Sequence, residues 1–406
     1  MNFPLKVTQL SDKEAENFEK SFANKEGVFN FEGVWLRNQC DKNKHQSKWQ
    51  SDKDARRRYI KFFDTYKIQR ENDINYLTII NSFIYISNTY PVSEIEQYNQ
   101  KVLKALEYNN YELKKKTKGM QTYVKDGLEV SLFYYNNHPR NKLKQIKFPD
   151  NYKSLDILIK DKNNPYYKEE IDRMWKLSTK MFRMPDKREN PRYIKSAKEI
   201  LEYLPAQLEL GCGPSIEVGI PPLHNMHETY KVQNHKTKQF YFADEDTLAV
   251  DVIADPIKMY TKFAYVPKVC IKAKPNKSYK KLFKLFDNGY FKQPVLNNNF
   301  DRIISRQGIK EKILRVYDIN KYIPKINFDR QAKSLICIGT HADRRKVQKQ
   351  AREKGLKVIF IDPEGFYKKD GSFEKYPIEG PQDNDLIYQT TFNEFINEME
   401  ELLLKG

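Results

Sequence analysis

The chain has 406 residues, a formal net charge of +18, 39% apolar residues and 13% aromatic residues. At about 150 residues per domain this length predicts two or three domains, and the aromatic content excludes a disordered chain, because disordered chains lack the large apolar groups that offset ordering entropy. The longest apolar runs fall short of the roughly 20 residues that span a bilayer, and the first residues lack the apolar core of a secretory signal, so we expect no membrane association.

The cysteines and the charge bound the compartment and the partners. Cys40, Cys212, Cys270 and Cys337 are widely separated and form no CxxC pair, which predicts neither a disulfide framework nor a metal site and favours a reducing, cytoplasmic location. A basic chain can bind nucleic acid because lysine and arginine release counterions from phosphates. The favoured alternative is a general surface bias, since basic and acidic residues are interleaved. The basic clusters are Arg56 to Arg58, Lys114 to Lys116 with Lys118, and residues 272–284.

A mainly helical α+β domain of unknown role is predicted for residues 1–190. Its apolar residues recur with helical spacing in two segments, and a turn sequence between them indicates a hairpin. A stretch rich in proline, asparagine and arginine is the predicted linker to the next domain. These elements are helices over 92–108 and 169–182, a hairpin around Asp126 and Gly127 within 122–135, and a linker at 184–193.

The second half has a different pattern, in which short apolar strands alternate with helices. Continuous apolar runs of this kind are typical of strands buried on both faces of a parallel sheet. The runs are AQLEL before Gly211, QPVL before Asn297, residues 334–339 and residues 356–362, and a helix over 348–355 lies between the last two. Residues 191–406 are therefore predicted to form an α/β domain with a doubly wound parallel sheet.

A turn after the strand AQLEL carries the first functional signal. Closely spaced glycines after a strand let the backbone approach a pyrophosphate. Residues 208–213 resemble the first motif of S-adenosylmethionine-dependent methyltransferases, although Ser215 stands where that family has another glycine. Residues 211–221 also resemble the sirtuin signature GAGISAESGIP. The matched positions are Gly211, Gly213, Ser215, Glu217, Gly219, Ile220 and Pro221.

Further motifs similar to those of sirtuins follow in order. The first two are the DPxxFY helix start at Asp255, Pro256 and Tyr260, and the PNxxH helix at 274–289, in which Tyr279 stands in place of the histidine. The others are the strand end VVTQNID at 294–301, the GTS turn at 339–341 and the INxE strand end at 361–364. The resemblance covers about residues 211–365. It implies a Rossmann-like, DHS-like fold in residues 191–406, with NAD as the cofactor.

The resemblance also implies roles for individual residues. The residues implied to bind NAD are Gly211, Cys212, Gly213, Ser215, Glu217, Asn298, Asn299, Asp301, Gly339, Thr340 and Asp362. Asn299 and Asp301 are also candidate catalytic residues, because an asparagine can bind a ribose hydroxyl or a water that an aspartate orients. Tyr317 stands where the family has its catalytic histidine, and a tyrosine hydroxyl, with a pKa of about 10 in water, is a poor base at neutral pH. His224, near His227, is the candidate substitute base, and a surface histidine pair is the alternative.

The chain departs from the family after Asp318. Only a short stretch separates Asp318 from the strand at Leu335, so the family's four-cysteine zinc module and most of its acyl-lysine cleft are missing. The implied activity is therefore cleavage of NAD at the nicotinamide bond, leading to ADP-ribosyl transfer to a protein, NAD hydrolysis or atypical deacylation. Three alternatives stay open. They are NAD or nucleotide binding without catalysis in a regulatory module, an S-adenosylmethionine-dependent methyltransferase, and a basic nucleic-acid-binding protein.

Overall fold

Two compact units make up the chain. A computed structural model describes residues 3–38, 57–134, 152–162, 191–220, 247–314, 323–340, 343, 345–363 and 381–405. The first unit comprises Met1–Thr179 and His224–Lys268, and the second comprises Lys180–Leu223 and Val269–Gly406. This division differs from the predicted boundary near residue 190, because residues 247–268 group with the first unit. In the described ranges, every helix is too short or too polar to cross a membrane.

Long strands dominate the first part of the chain, and shorter strands alternate with helices in the second half. The strands are β1 (Leu5–Leu10), β2 (Val28–Asn38), β3 (Arg57–Glu71), β4 (Ile74–Pro91), β5 (Glu112–Lys116), β6 (Met120–Lys125), β7 (Leu128–Tyr134), β8 (Tyr152–Asp161), β9 (Arg192–Ile194), β10 (Ala206–Leu210), β11 (Phe291–Asn297), β12 (Glu311–Ile313), β13 (Ser334–Ile338), β14 (Lys357–Ile361) and β15 (Leu386–Tyr388). The α-helices are α1 (Asp12–Asn17), α2 (Val92–Tyr108), α3 (Cys212–Ile216), α4 (Thr247–Ala254), α5 (Pro256–Phe263), α6 (Tyr265–Lys272), α7 (Lys277–Asp287), α8 (Val347–Glu353) and α9 (Phe392–Glu400).

The first unit is built on an eight-stranded antiparallel sheet. Its strands lie in the order β2-β3-β4-β8-β7-β6-β5, and β1 pairs with the first part of β4. The long β3–β4 hairpin turns at Asn72 and Asp73, which both have positive φ angles of 47° and 62° and are residue types that tolerate this conformation. β5 is the last strand of this order and all five of its residues are exposed. Lysines on such an edge oppose pairing with a strand of another molecule.

The predicted mainly helical domain in residues 1–190 is therefore wrong. Tyrosine, phenylalanine, isoleucine and threonine dominate β3 and β4, and these side chains suit a pleated, half-buried surface better than a helix. Two of the predicted elements are confirmed, namely the helix over 92–108 and the hairpin around Asp126 and Gly127. The predicted helix at 169–182 lies outside the described residues.

A segment from the second half of the chain packs into the first unit. α5 begins as its sequence predicts, because Pro256 occupies the first turn and the Asp255 side chain accepts a hydrogen bond from the backbone N–H of Lys258 at 3.0 Å. At the other end of α5, the Phe263 ring stacks on the ring of Phe62 in β3, with centroids 3.8 Å apart. These contacts explain why the segment does not belong to the α/β unit.

The second unit is built on a seven-stranded parallel sheet. Its strands lie in the order β12-β11-β10-β13-β14-β15-β9, and all of the described strand pairs are parallel. From β10 the chain moves outward through β11 and β12, and then returns to the opposite side of β10 to form β13. All residues of β10 and β13 are buried, as expected for strands covered on both faces. The predicted α/β class with a parallel sheet is confirmed, whereas the short strands β9, β12 and β15 were not predicted.

Candidate functional site

The reversal of strand order places two turns side by side at the carboxyl edge of the parallel sheet. The turn after β10 begins at Gly211, and the turn after β13 begins at Gly339. The backbone N–H of Gly211 donates to the carbonyl of Ile338 at 2.8 Å, and that of Gly339 donates to Ile361 at 2.9 Å. In open α/β sheets, ligands bind outside the carboxyl ends of the strands at such a switch point. We name the region formed by residues 211–215, 298–301 and 339–340 the switch-point site.

The two turns touch through glycines. A Cβ atom on Gly211 would lie 2.1 Å from the carbonyl oxygen of Gly339, and a Cβ on Gly339 would lie 2.5 Å from the backbone nitrogen of Gly213. Gly339 also has a φ angle of +63°, in the region that favours glycine. The glycines at 211 and 339 are thus needed for contact between the turns, whether or not a ligand is bound.

A hydroxyl at this contact has no partner within the part of the chain that the structure describes. Thr340 is buried, and its Oγ1 makes no hydrogen bond with any of the described residues. Cys212 lies beside it on the other turn and donates from Sγ to the carbonyl oxygen of Gly339 at 3.8 Å. A buried hydroxyl without a partner costs about 1–3 kcal/mol, so Thr340 is a group for which a bound ligand would supply the missing hydrogen bond.

Three consecutive asparagines at the end of β11 are held by hydrogen bonds. The Asn298 carboxamide donates to Glu209 Oε1 at 2.9 Å, and the backbone N–H of Asn299 donates to Asn297 Oδ1 at 2.8 Å. The Asn299 side chain donates to the carbonyl oxygen of Gly211. The loop after β11 is thereby fixed to the glycine turn, and the predicted roles of Asn298 and Asn299 stay predictions.

Asp301 is a buried anchor of the same loop. Its carboxylate accepts from the Ser215 hydroxyl at 2.5 Å and from the backbone N–H of Ile303 at 3.0 Å. Burial raises the pKa of Asp301, and these hydrogen bonds oppose the rise. The Arg306 guanidinium donates to the carbonyl oxygens of Asp301 at 2.7 Å and of Ala273 at 2.9 Å. Both carboxylate oxygens therefore have protein partners, and Asp301 joins the glycine turn to the asparagine loop.

Glu217 and Asp362, two further predicted cofactor-binding residues, contact other elements of the second unit. The Glu217 side chain accepts from the backbone N–H of Asn393 in the first turn of α9 at 2.8 Å, and burial raises the pKa of Glu217. Glu217 thus connects the glycine turn to α9. Asp362 follows β14 directly, is buried, and donates its backbone N–H to the carbonyl of Tyr388 at 3.3 Å.

The structure adds one titratable group that the motifs did not assign to the site. Glu209, the fourth residue of β10, is almost fully buried and accepts hydrogen bonds from Asn298, Gln348 and Cys337. Burial, followed by the nearby Asp343 carboxylate, raises the pKa of Glu209 to about 7. The available sequence signal is an acidic residue within a short, mainly apolar run, because a buried carboxyl is costly unless it has partners.

Two predicted catalytic residues, Tyr317 and His224, lie outside the described residues, as does His227. Among the residues that are described, no group of three histidine, cysteine, aspartate or glutamate side chains is arranged to hold a metal ion. The predicted residues that the fold does bring together at the switch-point site are Gly211, Cys212, Gly213, Ser215, Asn298, Asn299, Asp301, Gly339 and Thr340.

The fold and this arrangement define an α/β protein with a candidate ligand site at a topological switch point. Comparison of the chain with protein-family models, with curated proteins and with solved structures finds no match in any of the three. The resemblance to sirtuins therefore depends on the motifs and their order, and a functional proposal depends on the geometry of the site.

Proposed function

We propose that the second unit binds NAD at the switch-point site. The observation that carries the proposal is the buried Thr340 hydroxyl, which lacks a partner among the described residues where the turns after β10 and β13 meet. A buried donor that no described residue satisfies favours a site completed by an acceptor on a ligand, such as a phosphate or ribose oxygen. NAD carries several phosphate oxygens and several ribose oxygens.

The strand order supports a dinucleotide as the ligand. If β10 is taken as the first strand, β12, β11, β10, β13, β14 and β15 follow one another in space as strands 3-2-1-4-5-6. This is the order of the doubly wound sheets that bind dinucleotides across the crevice between strands 1 and 4. By the resemblance to sirtuins, Asp362 at the end of β14 would accept hydrogen bonds from a ribose.

The reaction that fits the sequence motifs is cleavage of the glycosidic bond of NAD, which joins the pyridine ring nitrogen of nicotinamide to C1′ of the ribose. The bonding electron pair leaves with nicotinamide, and the oxygen of water, or a nucleophile of a protein substrate, forms the new bond to C1′ and loses its proton. A positively charged, oxocarbenium-like centre requires shape and electrostatic support more than a strong nucleophile. Asn299, held by the Gly211 carbonyl, and Asp301, held by Ser215, supply fixed polar groups beside the turn.

Ligand binding to the full-length protein tests the proposal. NAD at millimolar concentration is expected to raise the melting temperature and to give a saturable isotherm in titration calorimetry, since a ligand that binds only the native state stabilises it. S-adenosylmethionine is the matched comparison, because it is the cofactor of the competing methyltransferase interpretation. Stabilisation by S-adenosylmethionine without stabilisation by NAD would replace the proposal with that interpretation, and stabilisation by neither would remove its basis.

Release of nicotinamide separates catalysis from binding. Wild-type protein incubated with NAD is expected to release nicotinamide, measured by chromatography, and Asn299→Ala is expected to release it at least about tenfold more slowly. Asn288→Ala is the control, because Asn288 is exposed at the end of α7 and its carboxamide donates to the carbonyl oxygen of Lys284 at 2.9 Å, outside the switch-point site. Saturable NAD binding with no nicotinamide from either protein would assign the unit a binding role without cleavage.

A further inference from the structure

Glu209 lies in the core between the parallel sheet and α8. It is only 3% exposed, and it shares this core with Cys337 of β13 and Gln348 of α8, which are both fully buried. Its Oε2 accepts from Gln348 Nε2 at 3.1 Å and from Cys337 Sγ at 3.4 Å. A leucine would fill such a position at lower cost, because a buried carboxyl must be compensated by partners. Packing alone therefore does not account for glutamate at this position.

The remaining contact of Glu209 reaches the switch-point site. Its Oε1 accepts from Asn298 Nδ2 at 2.9 Å. Because Oε1 is the acceptor of this hydrogen bond, the atom of Asn298 that faces Glu209 is the amide nitrogen. Asn298 is itself half-buried in the loop after β11. Its carboxamide oxygen is consequently the atom left for a ligand, and an oxygen of this kind pairs with a hydroxyl or N–H donor rather than with a phosphate oxygen.

We propose that Glu209 is a positioning residue, which fixes the Asn298 carboxamide so that its oxygen accepts a hydrogen bond from a hydroxyl or amide group of the bound dinucleotide. The inference rests on the proposed function, since it names the part of NAD that this side of the site recognises. That part is a ribose hydroxyl or the nicotinamide amide.

The surroundings of Glu209 allow a conservative replacement. Gln348 Oε1 is buried and has no partner among the described residues. A glutamine at 209 keeps one oxygen to accept from Asn298, and its new amide group can donate to Gln348 Oε1 once the Gln348 carboxamide is turned over. The groups facing Glu209 from the neighbouring elements are Asn298, Cys337, Gln348 and the Asp343 carboxylate.

Two single variants and their double variant test the inference. Glu209→Leu and Asn298→Ala are each expected to raise the Kd for NAD about tenfold, the effect of one hydrogen bond. The double variant is expected to bind no more weakly than either single variant, because both changes remove the same interaction. Glu209→Gln is expected to stay within about twofold of wild type. All Kd values are measured by calorimetry on protein whose native state is checked by circular dichroism.

The sign of the Glu209→Leu effect separates positioning from charge. At about pH 8, above the raised pKa of Glu209, loss of its negative charge would by itself strengthen binding of an anionic ligand such as NAD, whereas loss of the Asn298 anchor weakens it. Unchanged or tighter NAD binding by Glu209→Leu, or additive losses in the double variant, would overturn the inference and leave the proposed function intact. If Glu209→Leu does not fold, Glu209→Gln provides the test, because glutamine keeps the oxygen that accepts from Asn298. A Kd for NAD as high in Glu209→Gln as in Asn298→Ala would then overturn the inference. A wild-type protein that binds no NAD would overturn both proposals.

Discussion

The rings of Phe62 and Phe263 stack face to face, with their centroids 3.8 Å apart and their planes inclined by 4°. Phe62 belongs to β3 of the antiparallel sheet, whereas Phe263 ends α5, which follows the glycine turn of the parallel sheet by many residues. A second link connects Tyr111 to the same segment, since its hydroxyl donates to the carbonyl oxygen of Ile253 at 3.0 Å. The first unit is therefore completed by chain that comes from within the α/β half.

Phe263→Ala is expected to destabilise the first unit strongly. Phe263 is 1% exposed, and truncation of a buried phenylalanine to alanine costs about 3–5 kcal/mol through lost burial and the cavity that remains. The measurement is urea unfolding followed by circular dichroism. Tyr265→Ala is the matched control, because Tyr265 is 46% exposed and its loss is expected to cost under about 0.5 kcal/mol. Equal destabilisation by the two variants would contradict the assignment of α5 to the core of this unit.

More of the second unit than of the first could be predicted from the sequence, and the reason is physical. SLICI is a nearly continuous apolar run and AQLEL is a mainly apolar one, and a short run of this kind indicates a buried parallel strand without reference to its neighbours. β3 and β4 instead mix polar and apolar residues over a long span, and their stability comes from pairing across the sheet. The assignment of α5 to the first unit depends on a contact between residues far apart in sequence, which no local pattern contains.

The switch-point site shows the same limit. The turns at Gly211 and Gly339 could be predicted from the sequence, because the backbone requirements of a tight turn are local. The glycine-to-glycine contact and the unpartnered Thr340 hydroxyl depend on two strands being neighbours in the sheet. Glu209 was not assigned to the site because its partners lie on β13, on α8 and in the loop after β11, which are brought together only by the fold.

Gly211→Ala is expected to disrupt the site more than Gly213→Ala. The new Cβ at 211 would overlap the backbone carbonyl of Gly339 at 2.1 Å, whereas the Cβ at 213 would lie 3.3 Å from the Gly339 Cα. Backbone cannot move aside as a flexible side chain can, so the two turns must separate. We expect Gly211→Ala to lower the melting temperature by several degrees and to abolish stabilisation by NAD, and Gly213→Ala to lower it less. The reverse order in a thermal scan would contradict the packing of the turns.

The stability of the first unit is expected to fall as the pH rises from about 4 to about 7. Asp64 is fully buried and accepts from the Tyr66 hydroxyl at 2.9 Å and from Ser82, and burial raises the pKa of Asp64 to about 7. Between the unfolded and the folded pKa, the unfolded carboxyl ionises while the folded one keeps its proton, so unfolding becomes more favourable by up to about 4 kcal/mol.

Asp64→Asn separates the contribution of Asp64 from that of Glu209. Glu209 also has a raised pKa of about 7, so it lowers the stability of the second unit over the same pH range. An asparagine carries no charge at either pH, so the stability of the variant relative to wild type is expected to rise between pH 4 and pH 7. Urea unfolding at closely spaced pH values measures the difference. Parallel stability curves for the two proteins would show that the Asp64 carboxyl does not titrate in this range.

Thr340→Val is expected to change stability and ligand binding in opposite directions. The Thr340 Oγ1 is buried without a partner among the described residues, and valine replaces this hydroxyl with a methyl group of similar shape. Removal of an unpaired buried polar group is neutral or stabilising by about 1 kcal/mol in the absence of ligand. If the hydroxyl donates to NAD, the same change removes that hydrogen bond and raises the Kd about tenfold.

Thr340→Ser is the matched control for this prediction, because serine keeps the hydroxyl and loses only the methyl group. Its Kd for NAD is expected to stay near that of wild type, while its melting temperature without ligand falls slightly through lost packing. The two variants thus rank in opposite orders in a thermal scan of the free protein and in a calorimetric titration with NAD. A valine variant that binds NAD as tightly as the serine variant would show that the ligand does not use this hydroxyl, because only the serine variant retains it.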